Sequence, residues 1–205
     1  QRSVDELTAL FVREIEQGID GTDIKAGVIK VASRSGTLTA LEERVFKAAA
    51  RTSKATGVPI ETHTNARLRG GEKQVEIFEA EGISPNRVSL GHSDDTDDVN
   101  YLLGLAKRGY TAGMDHIYRG MAQGEKVPWQ RRADYIKQLI DAGFVTRIFL
   151  SNDWVLGDVD REQLNPDGML FTVRKTLPYL KQIGVSQRDI DVITVENPRR
   201  FFSRG

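Results

Sequence analysis

Residues 87–116 contain one complete strand–helix–strand unit, with the sequence RVSLGHSDDTDDVNYLLGLAKRGYTAGMDH. Residues 87–91 predict a strand, and the helical composition of residues 99–107 predicts a helix that ends at Gly109. A second strand is predicted at residues 110–114. Because a helix joins the two strands, they are expected to lie parallel in one sheet, and the unit predicts a parallel α/β fold.

The same unit recurs along the whole chain. The predicted strands are residues 26–32, 58–62, 87–91, 110–114 and 147–150. The predicted helices are a segment after Ser3, residues 41–56, 72–81, 99–107, 129–142, 177–183 and 186–192, and a last helix that begins at Asn197. Short loops join these elements, and no low-complexity segment or linker interrupts them. We therefore expect a single domain over residues 1–205.

Polar residues at the helix ends support these boundaries. Ser3 stands three residues before Glu6, which is the spacing of a capping box. Asp97 and Asp98 precede the predicted helix at residue 99, where carboxylates can accept hydrogen bonds from free backbone amides. The charged run at residues 130–132 predicts a solvated helix face.

The composition narrows the classes of function. The 205 residues include 29 basic and 29 acidic side chains, so the formal net charge is zero and nucleic acid is not an expected partner. No apolar run approaches the ~18 residues that a membrane-spanning helix needs. The chain has no cysteine, which excludes disulfides and thiolate metal ligands. A soluble protein of a bacterial cytoplasm or periplasm is compatible with these features.

The three histidines of the chain all follow predicted strands. Three successive predicted strands are followed by His63, His92 and His116, and the next strand is followed by Asp153. Lys30 lies within an otherwise apolar strand. The spacings from Lys30 through these residues in order are 33, 29, 24 and 37, which match the ~30 residues of a βα unit in a barrel. One histidine at a strand end is more often a structural residue. Three of three predict a site at the carboxyl edge of the sheet.

These residue types suit metal-assisted hydrolysis. Imidazoles and a carboxylate bind Zn²⁺ or a similar ion without cysteine, and two metal ions that share a hydroxide supply a nucleophile near neutral pH. Lys30 is unusual there because an ammonium group repels cations and is costly to bury. A carbamate formed with CO₂ would turn Lys30 into a bidentate anion. Alternatively, Lys30 extends to the strand end or pairs with Asp153.

The motifs, taken together, resemble those of the phosphotriesterase family of the amidohydrolase superfamily. They are Ile29-Lys30-Val31-Ala32, Thr62-His63-Thr64, Gly91-His92-Ser93-Asp94-Asp95-Thr96-Asp97-Asp98, Gly113-Met114-Asp115-His116-Ile117, Ser151-Asn152-Asp153-Trp154, Asn165-Pro166-Asp167-Gly168-Met169 and Glu196-Asn197-Pro198-Arg199-Arg200-Phe201. The resemblance implies a (β/α)8 TIM barrel of which this chain carries about five βα units, strands four to eight.

The resemblance also implies a ligand set for two divalent ions. Lys30 would be carbamylated and would bridge both metals, His63 and His92 would hold the more exposed metal, and Asp153 would hold the buried one. Zn²⁺ is the expected ion, with Co, Mn or Fe as alternatives. The family's His-x-His pair at the end of strand one does not occur in this sequence. An upstream or complementary segment would have to supply it, so we expect a homodimer or association with the missing part of the barrel.

The implied reaction is hydrolysis of a phosphotriester, such as an aryl dialkyl phosphate, by a hydroxide that bridges the metals. Asp153 would accept a proton, and His116 would relay it with Asp95. Trp154 and Arg119 are the expected contacts of a small-molecule ester substrate. Alternatively, Trp154 is an ordinary packed aromatic residue, and Arg119 is a solvated cation of the loop.

Two other functions remain open at the level of sequence. The loops at residues 118–128 and 155–164 are short, as in lactonase-like relatives, whereas His116-Ile117 resembles the triesterase branch. A lactonase or carboxylesterase with the same binuclear centre is therefore the alternative enzyme. A third possibility is an inactive barrel fragment that acts as a folding or assembly unit, because five strands leave open sheet edges.

Overall fold

The computed structural model describes residues 2–154 and 165–203, and within them five parallel strands form one sheet. The strands are β1 (Ile29–Ala32), β2 (Ile60–His63), β3 (Val88–Gly91), β4 (Thr111–Met114) and β5 (Ile148–Leu150). Their spatial order follows their order in the chain, so every crossover joins neighbouring strands. This arrangement is a five-stranded arc of a (β/α)8 barrel, as predicted.

Helices precede, separate and follow the strands. They are α1 (Val4–Glu16), α2 (Ala40–Thr56), α3 (Gly70–Ala80), α4 (Val99–Lys107), α5 (Trp129–Asp141), α6 (Leu177–Gln182), α7 (Gln187–Asp191) and α8 (Asn197–Phe202). The predicted helices are confirmed to within about two residues. The predicted strand at 26–32 is too long, because the Ala26 amide donates to Glu14 of α1 and sheet bonding begins only at Ile29.

Local capping explains where several helices begin and end. Ser3 and Glu6 form the predicted capping box at the start of α1. Asp98 is the N-cap of α4 and accepts hydrogen bonds from two backbone amides, whereas Asp97 is not the capping residue. Gly57 ends α2 with a φ of 72°, a conformation that carries no steric penalty for glycine.

The two faces of the sheet differ in character. In β1, Ile29 and Val31 are buried beneath the helices, while Lys30 and Ala32 point to the opposite side. Phe46 and Phe78 pack between the sheet and helices with ring centroids 5.5 Å apart, and both are fully buried. Removal of either ring would cost about 3–5 kcal/mol of folding free energy. This apolar layer leaves the other face of the sheet to carry polar groups.

The charged run on α5 differs from the sequence prediction. Arg131 is exposed, as the prediction of a solvated helix face requires. Its guanidinium carbon lies 5.0 Å from the centroid of the Tyr135 ring. Arg132 is fully buried, so the prediction for residues 130–132 is wrong at this position. Adjacent helical residues point about 100° apart, which turns Arg132 towards acceptors beneath the helix.

Candidate metal centre

The three histidines meet at the carboxyl edge of the sheet. His63 is the last residue of β2, His92 follows β3 directly, and His116 lies two residues beyond β4. The His63 and His92 rings meet edge to face with centroids 4.4 Å apart, and the His92 and His116 rings stack at 4.0 Å. The parallel register aligns the ends of neighbouring strands, with His63 opposite Gly91. Histidines that are 29 and 24 positions apart in the chain are thus brought into ring contact.

Asp153 joins this group from the segment after β5. Side-chain ligand atoms of His92, His116 and Asp153 all lie within 4.8 Å of one another. The Asp153 side chain is 42% exposed, whereas that of His116 is 2% exposed. His92, His116 and Asp153, three of the residues predicted at the carboxyl edge of the sheet, therefore lie together.

Two residues of this group have unusual backbone conformations. His92 has a φ of 59° and Asp153 a φ of 39°. Both values lie in the left-handed region, which residues other than glycine rarely adopt. Such positions cost of the order of 1–3 kcal/mol each and cluster at functional sites. The His92 amide is held by a 2.9 Å hydrogen bond to Oδ1 of Asp115. The surrounding structure therefore enforces the direction in which the His92 side chain leaves the strand.

Lys30 approaches the site from β1. Its Nζ donates a 3.1 Å hydrogen bond to the carbonyl oxygen of Thr62, next to His63. Lys30 also lies opposite Glu61 in the register of β1 and β2. Burial raises the pKa of Glu61 to about 7, although Ser89 and the Lys30 charge act in the opposite direction. Lys30 is thus in place to reach a ligand at the strand ends, and the carbamate stays a prediction.

A cavity of about 350 Å³ opens on the inner face of the sheet. Its walls include Lys30, Glu61, Ser89, His92, Gly113, Asp115, Phe149, Leu150, Ser151, Asp153, Pro198 and Phe202. A Cβ added to Gly91 would lie 2.4 Å from the carbonyl oxygen of Thr62, so only glycine fits at the end of β3. The absence of a side chain there lets β2 and β3 approach closely beneath the histidines.

His116 lies between two carboxylates. Its Nδ1 is 2.9 Å from Asp95 Oδ2, and its Nε2 is 3.1 Å from Asp153 Oδ2. Burial would lower the pKa of His116, but the hydrogen bonds to Asp153 and Asp95 outweigh it and raise the pKa to about 9. Burial likewise opposes the charge of Asp95, yet His116 and Arg132 hold the Asp95 pKa well below its ordinary value. The three groups form one continuous hydrogen-bonded line.

Sequence reasoning missed the residues that hold this line. Asp115 Oδ1 lies 2.9 Å from Nδ1 of His92, and Asp94 Oδ1 accepts hydrogen bonds from the amides of Asp115 and His116 at 3.0 and 3.1 Å. Burial, followed by the nearby Asp115 charge, raises the pKa of the fully buried Asp94. The signal was present, because Asp115 directly precedes His116 and Asp94 lies in the acidic run after His92.

The two predicted substrate contacts, Trp154 and Arg119, are not among the described residues that line the cavity. Trp154 is half-buried and meets the Tyr118 ring edge to face at 5.6 Å. Arg119 lies in a 3-10 turn over Ile117–Met121, and its amide donates to the carbonyl oxygen of His116 at 2.9 Å. The predicted loop at residues 155–164 lies outside the described residues.

The donor set fits a divalent metal ion. His92, His116 and Asp153 converge at the edge of a cavity, and imidazole nitrogen and carboxylate oxygen are common ligands of Zn²⁺. The group includes His116, which the resemblance assigns to proton relay, and does not include His63, which it assigns to a metal ion. The Asp115 carboxylate beside Nδ1 of His92 provides the outer partner that metal-binding histidines use to fix their ring orientation.

No helix in the described ranges is long and apolar enough to traverse a bilayer.

The fold and the site together define a (β/α)8-barrel protein with a candidate metal centre at the carboxyl ends of its strands. The phosphotriesterase family model matches residues 1–202, and the chain belongs to this family. A phosphotriesterase homology protein of Mycobacterium tuberculosis is 39% identical over 204 residues, which cover 97% of this chain and 61% of that protein.

Two other relatives are named for specific activities. An aryldialkylphosphatase of Saccharolobus solfataricus is 34% identical, with 98% of this chain and 66% of that protein covered. A phospho-furanose lactonase of Mycoplasmopsis synoviae is 29% identical, with 97% of this chain and 60% of that protein covered. The chain thus spans about three fifths to two thirds of the length of these curated relatives.

Proposed function

We propose that the chain forms the carboxyl-edge reaction site of a metal-dependent hydrolase that cleaves phosphotriesters of the aryl dialkyl phosphate type. The observation that carries this proposal is the line from Asp153 through His116 to Asp95, next to His92. A relative named aryldialkylphosphatase supports the choice of substrate. The donor chemistry of the site supports the metal dependence.

In this proposal the metal ligands come from four elements of the chain. His63 and His92 would hold one divalent ion, Asp153 would hold the second, and Lys30, as its carbamate, would be a ligand of both. Zn²⁺ is the first choice and Co, Mn or Fe are alternatives. When bound, the two ions activate water for attack and polarise the phosphoryl group.

The side chains of the chain itself manage the proton. Asp153 accepts it, and His116 relays it outward with the help of Asp95. Nε2 of His116 is 3.1 Å from Asp153, and Nδ1 is 2.9 Å from Asp95. Attack on phosphorus breaks the bond to the aryloxide group, which leaves as a stabilised anion. Trp154 and Arg119 border the space where the ester groups bind.

A lactone or carboxylic ester is the second candidate substrate. The same ligands can polarise an acyl group and stabilise its tetrahedral intermediate. The relative named phospho-furanose lactonase and the short loop at residues 118–128 favour this candidate. The third candidate is a barrel fragment that works in folding or assembly, as a homodimer or with a complementary barrel segment, because β1 and β5 each pair on one side only in the described sheet.

The test compares hydrolysis of diethyl 4-nitrophenyl phosphate with that of an aliphatic lactone, using protein loaded with Zn²⁺ in the presence of bicarbonate. We expect turnover of the phosphotriester, and its loss in Asp153→Asn would exclude a contaminating hydrolase. Faster turnover of the lactone would establish the second candidate. A folded, metal-loaded protein that is inactive on both would favour the assembly unit, and size-exclusion chromatography would then give its oligomeric state.

A further inference from the structure

Arg132 is a buried cation that contacts Asp95, one end of the hydrogen-bonded line formed by Asp153, His116 and Asp95. It lies on α5, and its side chain is fully buried. Its Nη1 is 2.6 Å from Asp95 Oδ1 and 3.4 Å from Asp94 Oδ2, and the same atom donates to the carbonyl oxygen of His116 at 3.4 Å. Its Nε donates to the carbonyl oxygen of Val127 at 3.0 Å. An unpaired guanidinium would be very costly there, so these partners are what allow Arg132 to be buried.

The geometry at Asp95 divides the two carboxylate oxygens between two partners. Oδ1 faces Arg132, and Oδ2 faces Nδ1 of His116 at 2.9 Å. A carboxylate is planar, so a fixed guanidinium on one oxygen fixes the direction in which the other oxygen points. The Nε bond to Val127 holds the guanidinium plane itself, and the point charge of a lysine ammonium cannot reproduce this two-sided contact.

Arg132 also connects the loops around the site. Its Nη2 lies 3.7 Å from Glu125 Oε1, and Glu125 in turn accepts a 2.6 Å hydrogen bond from Arg67. Arg67 follows β2, Glu125 follows β4, and Asp95 follows β3. The buried cation therefore links the loops after β3 and β4 directly and reaches the loop after β2 through Glu125.

We propose that Arg132 is the positioning residue of the Asp95–His116 pair, and that it sets proton transfer out of the site without touching the substrate. The inference deepens the proposed function and rests on it for its kinetic consequence. A purely structural role would stabilise the protein regardless of whether His116 is present. A positioning role acts through His116, so its effect must disappear when His116 is removed.

The kinetic test is a double-mutant cycle of Arg132→Lys with His116→Asn. Arg132→Lys alone should lower kcat for the phosphotriester by about tenfold or more, with KM changed by less than about twofold. In the His116→Asn background the further loss should be less than about twofold. Arg131→Lys is the matched control, because Arg131 is the adjacent arginine on the same helix and is exposed. Equal fold losses in both backgrounds would overturn the proposal.

A second readout does not depend on turnover. The chain has three histidines, so the imidazole nitrogen resonances of the apoprotein can be assigned by single substitutions. Arg132→Lys should shift the Nδ1 resonance of His116, while Arg131→Lys should leave it in place. If the wild type hydrolyses no ester, the proposed function fails, and this resonance alone decides the positioning role. A His116 signal unchanged in Arg132→Lys would refute it.

Glu125→Gln gives a second route if Arg132→Lys does not fold. Glu125 contacts Arg132 but not His116 in the described structure, and its side chain is 14% exposed. Loss of its charge should loosen Arg132 and shift the His116 resonance in the same direction as the lysine variant, by a smaller amount. A folded Glu125→Gln protein with an unchanged His116 signal would contradict the proposal.

Discussion

Within the candidate metal centre, the residues after β3 and β4 are buried and bonded from several sides, whereas those on β1 and β2 are more exposed. The His116 side chain is 2% exposed and both its ring nitrogens face carboxylates, and the His92 side chain is 6% exposed against Asp115. Lys30 is exposed and His63 is half-buried. One hydrogen bond, to the Thr62 carbonyl oxygen, directs the Lys30 ammonium.

This difference separates what the chain organises by itself from what a ligand must complete. The β3–β4 side already has hydrogen-bonded carboxylates that fix its imidazoles, which is the preorganisation that catalytic groups need. On the β1–β2 side, burial and the neighbouring His92 lower the pKa of His63, which keeps the imidazole neutral and able to bind a metal. We therefore expect metal removal to loosen Lys30 and His63 more than His116.

The largest expected effect is that of Asp153→Asn. The substitution removes a metal ligand and the proton acceptor of the proposed line, so turnover should fall by about 10²–10⁴-fold. The measurement is kcat/KM for the aryl phosphotriester. Asp141→Asn is the control, because Asp141 is an exposed aspartate paired with Lys137 on α5, outside the site. Full activity in Asp153→Asn would show that the proposed proton path is wrong.

Lys30→Ala should have the next largest effect, on metal content. Loss of the carbamate would remove the ligand shared by both ions, so less than one metal per chain should remain after dialysis. Short-chain carboxylates should partly restore metal and activity by replacing the carbamate. Elemental analysis makes the measurement, and exposed Lys25→Ala is the control. A Lys30→Ala protein that keeps two metals would rule out the bridging role.

Asp115→Asn probes the better-organised side of the comparison. Asp115 accepts a hydrogen bond from the His92 amide and lies 2.9 Å from its Nδ1, so its charge orients the ring. Loss of such an outer partner weakens metal binding by about 10–100-fold. Competition with a metal chelator measures the change, and exposed Asp97→Asn provides a control from the same acidic region. Unchanged metal affinity would mean that backbone geometry alone sets His92.

The sequence predicts the fold well because each strand and helix has a local signal. Alternation of apolar runs with glycine-ended helices is enough to predict the parallel sheet, and Ser3 and Asp98 mark helix starts that the structure confirms. The convergence of His63, His92 and His116 follows from the same alternation, because parallel strands bring their carboxyl ends together.

The rest of the site depends on contacts that no local pattern encodes. Arg132 stands next to Arg131 in a charged run, yet one is buried and the other exposed, and only the position of α5 over the Asp95 loop decides which. The left-handed backbone at His92 is likewise held by a distant partner, the Asp115 carboxylate that accepts from its amide. Side-chain burial and backbone strain are tertiary properties, so spacing alone could not predict them.

The smallest expected effect is that of Trp154→Ala, which tests whether the rim of the site contacts substrate. Trp154 is half-buried against Tyr118, and Asp153 precedes it directly. Loss of an indole that shields part of an aryl group should cost about 1 kcal/mol, or about three- to tenfold in KM, with kcat nearly unchanged. The aliphatic lactone should be affected less, because it offers less apolar surface.

Trp154→Phe should retain most of the binding, and thermal unfolding of both variants should separate lost packing from lost contact. An equal rise in KM for both substrates, or none, would assign Trp154 to packing and restrict the substrate contacts to the cavity walls.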